Sequence, residues 1–203
     1  MTLKIITPSI ERLWSTPQAE QIIEQAARTC YKSEGKITSD SAAPLIRKLV
    51  HRDHHAMLEH ASASFKWVCD RGVTHELVRH RLASFAQEST RFCQYDNGIT
   101  VILPPGLSDG YHDWKIAVLH AERQYVALIG RGSPPQIARS VLPICVKTEI
   151  VVTANLREWR HIMELRTATA AHPQIRQLAE WTLYELKGIA PTVFEDFESQ
   201  SRP

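Results

Sequence analysis

Residues 146–154 read VKTEIVVTA and lead directly into NLREWRHIMELR at 155–166. The first stretch is dense in β-branched residues and favours a strand. The second spaces Leu156, Trp159, Ile162 and Met163 at helical intervals and favours a helix. A chain that changes period at one peptide bond must mix strands with helices. Further strands are expected at LKIITP near the start, at SFKWVC before Asp70 and at TVILPP. Helical spacing predicts helices over Pro17–Tyr31, Ala42–His51, Gly72–Ala83, Asp109–Ile129, Asn155–Thr167 and Pro173–Lys187, with Gly188 as a stop. In the longest of these, Trp114, Val118, Ala121, Tyr125 and Leu128 form a stripe suited to a core. The elements do not alternate as regular βαβ units, and neither G-x-G-x-x-G nor G-x-x-x-x-G-K occurs. A dinucleotide would therefore be held by something other than Rossmann or P-loop geometry. The expected fold is α/β of the α+β type. With no repeat, low-complexity segment or Gly/Ser linker, residues 1–203 read as one domain.

Of the 203 residues 43% are hydrophobic, enough for an ordinary packed core, and the formal net charge is only +2. Without a long basic run, that charge gives little field for tight nucleic-acid binding, so an anion site must be local. Cys30, Cys69, Cys93 and Cys145 form no C-x-x-C pair, and no charged lead-in precedes an apolar stretch. Free thiols in a reducing cytoplasm are expected. No apolar run approaches the ~20 residues that span a bilayer, so no membrane partner is expected.

The local anion site is suggested by RHRLASFAQESTR, Arg79 to Arg91, which sets three Arg and a His beside three hydroxyls, with Glu88 its one carboxylate. Successive helical residues point about 100° apart, so on a helix Arg79, His80 and Arg81 would face three directions. An unwinding helix end, a large multi-phosphate ligand or a junction of chains would each satisfy them. On the same wheel Val73, Leu77, Val78 and Leu82 form an apolar arc that includes Arg81. A guanidinium there needs an anionic partner, although a lone Arg is more often a structural ion pair or a snorkelling side chain.

A second segment repeats the pattern. Arg166 projects between Ile162 and Trp159, while Arg157 and His161, four apart, share another face. Two Arg residues set into apolar stripes suit bidentate contact with a carboxylate, a phosphate or a polar ring edge. Arg139, in PPQIARSVLP, stands where prolines fix the backbone near a helix end.

Rival chemistries are weaker. His51, His54 and His55 stand at i, i+3 and i+4, a spacing that could serve a metal, yet no H-E-x-x-H or second Cys/His cluster completes a site. A polar helix C-terminus accounts for them, and no metal is expected. Ser89 lies near His80 and Glu88 but lacks a G-x-S-x-G elbow; among Arg side chains it suits phosphate, with Thr90 and Arg91. His60 closes MLEH just before a strand.

The R-H-R followed after seven residues by Ser resembles the signature of the flavin-dependent thymidylate synthases, the ThyX family. AARTCY, LEHAS, HELVRHR, ARSVLP and NLREWRHIMELR extend that resemblance, in order, over most of the chain. It implies a mixed, mainly antiparallel sheet flanked by long helices and a homotetramer with active sites at subunit junctions. It also implies FAD, the substrate dUMP, and NADPH and 5,10-methylenetetrahydrofolate as co-substrates. By motif position, His60, Ser62, Arg79, His80, Arg81 and Gln87 would contact the cofactor, with Asn155, Arg157 and His161 from another chain. Glu76, Arg79, Gln87, Ser89, Thr90, Arg91, Arg139 and Arg166 would surround dUMP. Arg166, His60 and Ser89 are the expected catalytic groups, with Arg166 stabilising charge on the pyrimidine. No Cys is expected as nucleophile. The chain departs from the family pattern at Phe92 for Tyr, Ala86 for Asn, Gln87 for Glu, Cys30 for Ser and His161 for Asn. Two other readings start from the same residues: a nucleic-acid binder using Arg79, Arg81, Arg157 and Arg160, and a metal hydrolase built on His51, His54 and His55.

Overall fold

The computed structural model describes residues 3–198. In chain order its strands and α-helices are β1 (Lys4–Ile6), β2 (Ser9–Ser15), α1 (Ala19–Cys30), α2 (Ala42–His51), β3 (Ser62–Asp70), α3 (Arg71–Leu77), β4 (Ser84–Gln87), β5 (Thr100–Ile102), α4 (Tyr111–Gly130), α5 (Pro135–Ala138), β6 (Lys147–Asn155), α6 (Leu156–Arg166) and α7 (Pro173–Ile189). Hydrogen bonding orders four strands β2-β3-β6-β4 and pairs β1 with β5. The chain forms two compact units, one of residues 3–9, 67–79 and 86–150, the other of 10–66, 80–85 and 151–198.

In the first unit β1 and β5 run parallel, Lys4 opposite Thr100 and Ile6 opposite Ile102. Their side chains join Val118 and Tyr125 of α4 in a core that also buries Leu3, Ile99, Ala138 and Val146. The expected stripe of α4 therefore faces inward, with Trp114 and Leu128 packed at its edge. Glu122 is buried on that helix, and its carboxylate accepts the Ile99 N–H at 2.9 Å. Gly98 makes this approach possible: its φ is +99°, and a Cβ would stand 2.5 Å from Glu122 Oε1.

In the second unit β2 and β3 are antiparallel, since Thr16 N–H reaches Ser62 O while Glu11 pairs with Lys66. β3 and β6 are antiparallel too: Leu156 N–H reaches Ala61 O, and Thr153 bonds Ser64 at 2.8 Å. Leu156, Trp159, Ile162 and Met163 of α6 are buried as their spacing predicts. Trp159 donates to Ala63 O at 3.0 Å and meets Phe65 edge-on, 5.3 Å between ring centres. Ile23 of α1, Ile46 of α2 and Leu178 of α7 fill the same unit's core.

Three expectations are corrected. The helix expected over Gly72–Ala83 begins at Arg71, capped by Asp70 on Val73 N–H at 2.8 Å, and ends at Leu77. The apolar arc does not continue: Val78 and Leu82 are 41% and 78% exposed, so nothing is gained by extending that face. Arg81 accordingly lies exposed in a turn rather than inside an apolar stripe. α7 runs past Gly188 to Ile189, and Pro191, which restrains Ala190, ends it instead. β2 and β4 carried no clear alternation: Leu13 and Trp14 of β2 are both exposed.

Candidate active site

In the first unit the end of RHRLASFAQESTR is held by its own side chains. Gln87 donates to Thr74 Oγ1 at 3.0 Å and to Thr148 Oγ1 at 3.3 Å. The Glu88 carboxylate accepts from Tyr95 OH at 2.8 Å and from Lys147 Nζ at 3.0 Å, so the motif's one carboxylate is turned away from ligand duty. Burial and the neighbouring carboxylate raise the Tyr95 phenol well above its usual range, and it remains a donor. Ser89 Oγ accepts from Arg91 N–H at 3.3 Å, and its carbonyl accepts from Cys93 N–H at 2.8 Å, which makes 89–93 a tight turn. Thr90 is buried in that turn and accepts from Arg139 Nη1 at 3.3 Å.

Thr90 and Arg139 line a cleft of about 360 Å³ with Arg71, His75 and Ser140. Two expected ligand groups thus converge, and Arg71 and His75 join them, a pair the sequence reading missed. The signal was present: Asp70 caps α3, which makes Arg71 its first residue and sets His75 one turn later on the same face. Arg91 does not line that cleft; its guanidinium lies 5.4 Å from the Phe92 ring centre. Glu76 is half-buried on α3, and Arg79 is exposed just beyond it.

The second unit holds the other half of the candidates. Asn155 caps α6, its Oδ1 accepting Glu158 N–H at 2.8 Å. Along that helix Arg157, Glu158, Arg160, His161 and Glu164 line a cleft of about 710 Å³. Arg157 pairs with Glu59 at 2.6 Å, and Arg160 is paired with Asp196 at 2.7 Å while lying over Phe197. The Arg160 pairing weakens the nucleic-acid reading, which needed that guanidinium for phosphate. His60 and Cys30 share a further cleft of about 480 Å³ with Met57, and Cys30 and Arg157 share one of about 390 Å³. Ser62, half-buried, gives its N–H to Thr16 Oγ1 at 2.9 Å.

His80, buried at 5% exposure, accepts from Arg166 Nε at 3.0 Å. Glu158 lies 3.6 Å from its other nitrogen, and the His161 ring stands edge-on 5.5 Å away. Burial, then the charges of Arg166 and His161, push the His80 pKa down to about 4. Burial raises that of Glu158. Glu158 was missed because an acid in the first turn of a helix reads as a favourable dipole contact, not as a buried partner.

The rival sites lose their geometry. Asp53 adopts φ 56°, so His54 and His55 leave the helix that ends at His51. Among the described residues no group of three His, Cys, Asp or Glu is placed to hold a metal. The four cysteines are unpaired thiols. Burial pushes Cys145 up to about 11 and raises Cys69 as well, so neither is a thiolate at neutral pH. Among the described residues no helix is long and apolar enough to cross a membrane.

A family model described as Thymidylate synthase complementing protein matches residues 12–192. A flavin-dependent thymidylate synthase of Mycobacterium avium (strain 104) is 36% identical, the match covering 91% of this chain and 83% of that protein. One from Geobacter sulfurreducens is 35% identical, over 92% and 85% of the two chains. The UMP/dUMP methylase PolB from Streptomyces cacaoi, solved with 5-Br dUMP, has a TM-score of 0.83 at 25% identity, covering 95% of this chain and 96% of that one. With the whole motif series inside the matched span, the chain belongs to the flavin-dependent thymidylate synthase family.

Proposed function

We propose that the protein converts dUMP to dTMP, taking its one-carbon unit from 5,10-methylenetetrahydrofolate and its hydride from FADH2 that NADPH regenerates. In this reading it works in the cytoplasm as a homotetramer, each chain acting as a single domain. The observation that carries the reading is Arg166, whose guanidinium is held against buried His80 on a helix of the family's own motif.

The donors suit a flavin. Arg157 and His161 offer N–H groups to carbonyl and ring-nitrogen edges, and the cleft they line falls within the usual range for such ligands. Asp53 and Glu164 on the same cleft, where Arg160 is already paired with Asp196, would repel a pyrophosphate, so the cleft suits the flavin ring system. The flavin, when bound, supplies the hydride chemistry. His60, Ser62, Arg79, His80, Arg81, Gln87 and Asn155 would complete its surroundings, with His60 orienting the ring or the folate.

Toward dUMP, Arg139 and Thr90 would take the phosphate at their cleft, Ser89 and Arg91 of the adjoining turn would add contacts from outside it, and Glu76, Arg79 and Gln87 would meet the nucleoside. Arg166 would stabilise negative charge on the pyrimidine carbonyls as C5 becomes nucleophilic. A guanidinium already held in place does so without reorienting. Leu82 and Phe92, 78% and 79% exposed beside Arg81 and Arg91, are apolar groups a second copy of the chain could cover.

The purified protein should be yellow, with a flavin absorbance band that dUMP perturbs. A colourless protein that binds DNA with a steep salt dependence would contradict the reading.

A further inference from the structure

A guanidinium can only donate hydrogen bonds, because every nitrogen carries hydrogen and none has a usable lone pair. Arg166 Nε lies 3.0 Å from His80 Nε2, so that nitrogen must be the acceptor. His80 is therefore neutral, with its one proton on Nδ1. Nδ1 faces Glu158 Oε1 at 3.6 Å, and both side chains are buried. That distance is too long for a direct hydrogen bond. The carboxylate acts on Nδ1–H through its charge rather than through a hydrogen bond.

The two neighbours specify one ring orientation. Flipping the imidazole would turn a ring C–H toward the Arg166 N–H and withdraw Nδ1–H from the carboxylate. Moving the proton to Nε2 would oppose two donors and set a lone pair against Glu158. Each change is unfavourable at both ends. His161, edge-on to the same ring, restricts it further. The bond from Nε to His80 sets the plane of the Arg166 guanidinium, and so the plane in which it would meet a ligand.

We propose that Glu158 is a positioning residue for the methylation: its carboxylate fixes the His80 ring, and His80 fixes the plane in which Arg166 meets the pyrimidine. The proposal rests on the reading of Arg166 as the group that faces uracil. It gives His80 a task within its own chain and explains why an acid is buried in the apolar stripe of α6.

The test uses full-length protein labelled with 15N-histidine, the His80 signals being assigned by their loss in His80→Gln. At pH 7 His80 should show a single Nδ1–H tautomer. Glu158→Leu, which removes the carboxylate at similar volume, should mix the tautomers and lower kcat about tenfold to a hundredfold, leaving KM for dUMP within about threefold. Glu158→Gln, which keeps the side chain's size but removes its charge, should shift the tautomer and lower kcat in the same direction as Leu. An imidazolium or an Nε2–H tautomer in wild type would overturn the proposal, whether or not the Leu variant folds. So would a Leu variant with normal kcat, one that loses kcat with the His80 tautomer unchanged, or a Gln variant with the wild-type tautomer and kcat. Inactive wild-type protein would overturn the proposed function and this inference with it; any of the other failures in an active enzyme overturns this inference alone.

Discussion

Arg139 Nη1 lies 3.3 Å from Oγ1 of buried Thr90, joining two motif segments 49 residues apart in sequence. Thr90 steadies a guanidinium whose residue is otherwise exposed, which leaves Arg139 oriented for an anion at the cleft it shares with Arg71 and His75. Arg139→Ala should raise KM for dUMP about tenfold to a hundredfold with a smaller change in kcat, the equivalent of about 1.5–3 kcal/mol for a hydrogen bond to a charged group. Steady-state kinetics with dUMP varied checks this. An unchanged KM would remove Arg139 from the phosphate site.

Arg166→Ala should lower dTMP formation by about a hundredfold to a thousandfold, the scale for removing one preorganised charge-stabilising donor. The variant should still fold and keep its flavin. Circular dichroism and the flavin absorbance measured beside activity separate the two effects. Methylation near the wild-type rate would show that the polarising role is wrong.

Asn155 has two assignments, helix cap and flavin contact, and they can be separated. Asn155→Ala should destabilise the protein by about 1 kcal/mol through the lost bond to Glu158 N–H, whereas Asn155→Asp should keep the cap. Urea unfolding measures both. If Asp preserves stability but lowers flavin affinity, the side chain serves the cofactor as well as the helix.

His80 links stability to pH. Its folded pKa of about 4 lies below the ordinary value of 6.5, so the unfolded chain takes up a proton first as pH falls. The contribution is complete above 6.5 and is lost progressively as pH falls from 6.5 toward 4, the loss reaching about 2 kcal/mol at pH 5. Unfolding at pH 7.5 and pH 5 should show this drop in wild type and a smaller one in His80→Gln. Glu158, 3.6 Å from His80, has a raised pKa that acts in the opposite sense and offsets part of the drop. Equal drops in the two would contradict a buried neutral His80.

The helices were legible wherever a buried stripe fixed the period. α2 matches its expected bounds, and α6 buries the four residues its spacing named. β2 was hidden because Leu13 and Trp14 point their apolar surface outward, so period and burial disagree. α3 was read too long because Val78 and Leu82 extend the period without being buried. Among the site residues, Arg139 and Arg166 could be singled out by prolines and by an apolar surround. Arg71 and His75 were legible only through the Asp70 cap that sets them on one face of α3, and Glu158 was not, since its partner His80 is distant in sequence.

The most direct test of the whole account is tritium release from dUMP labelled at C5, incubated with the protein, FAD, NADPH and 5,10-methylenetetrahydrofolate. Release that keeps pace with dTMP formation and stops when the folate or the flavin is omitted is the predicted result. No release with every component present, from folded protein carrying its flavin, would contradict it.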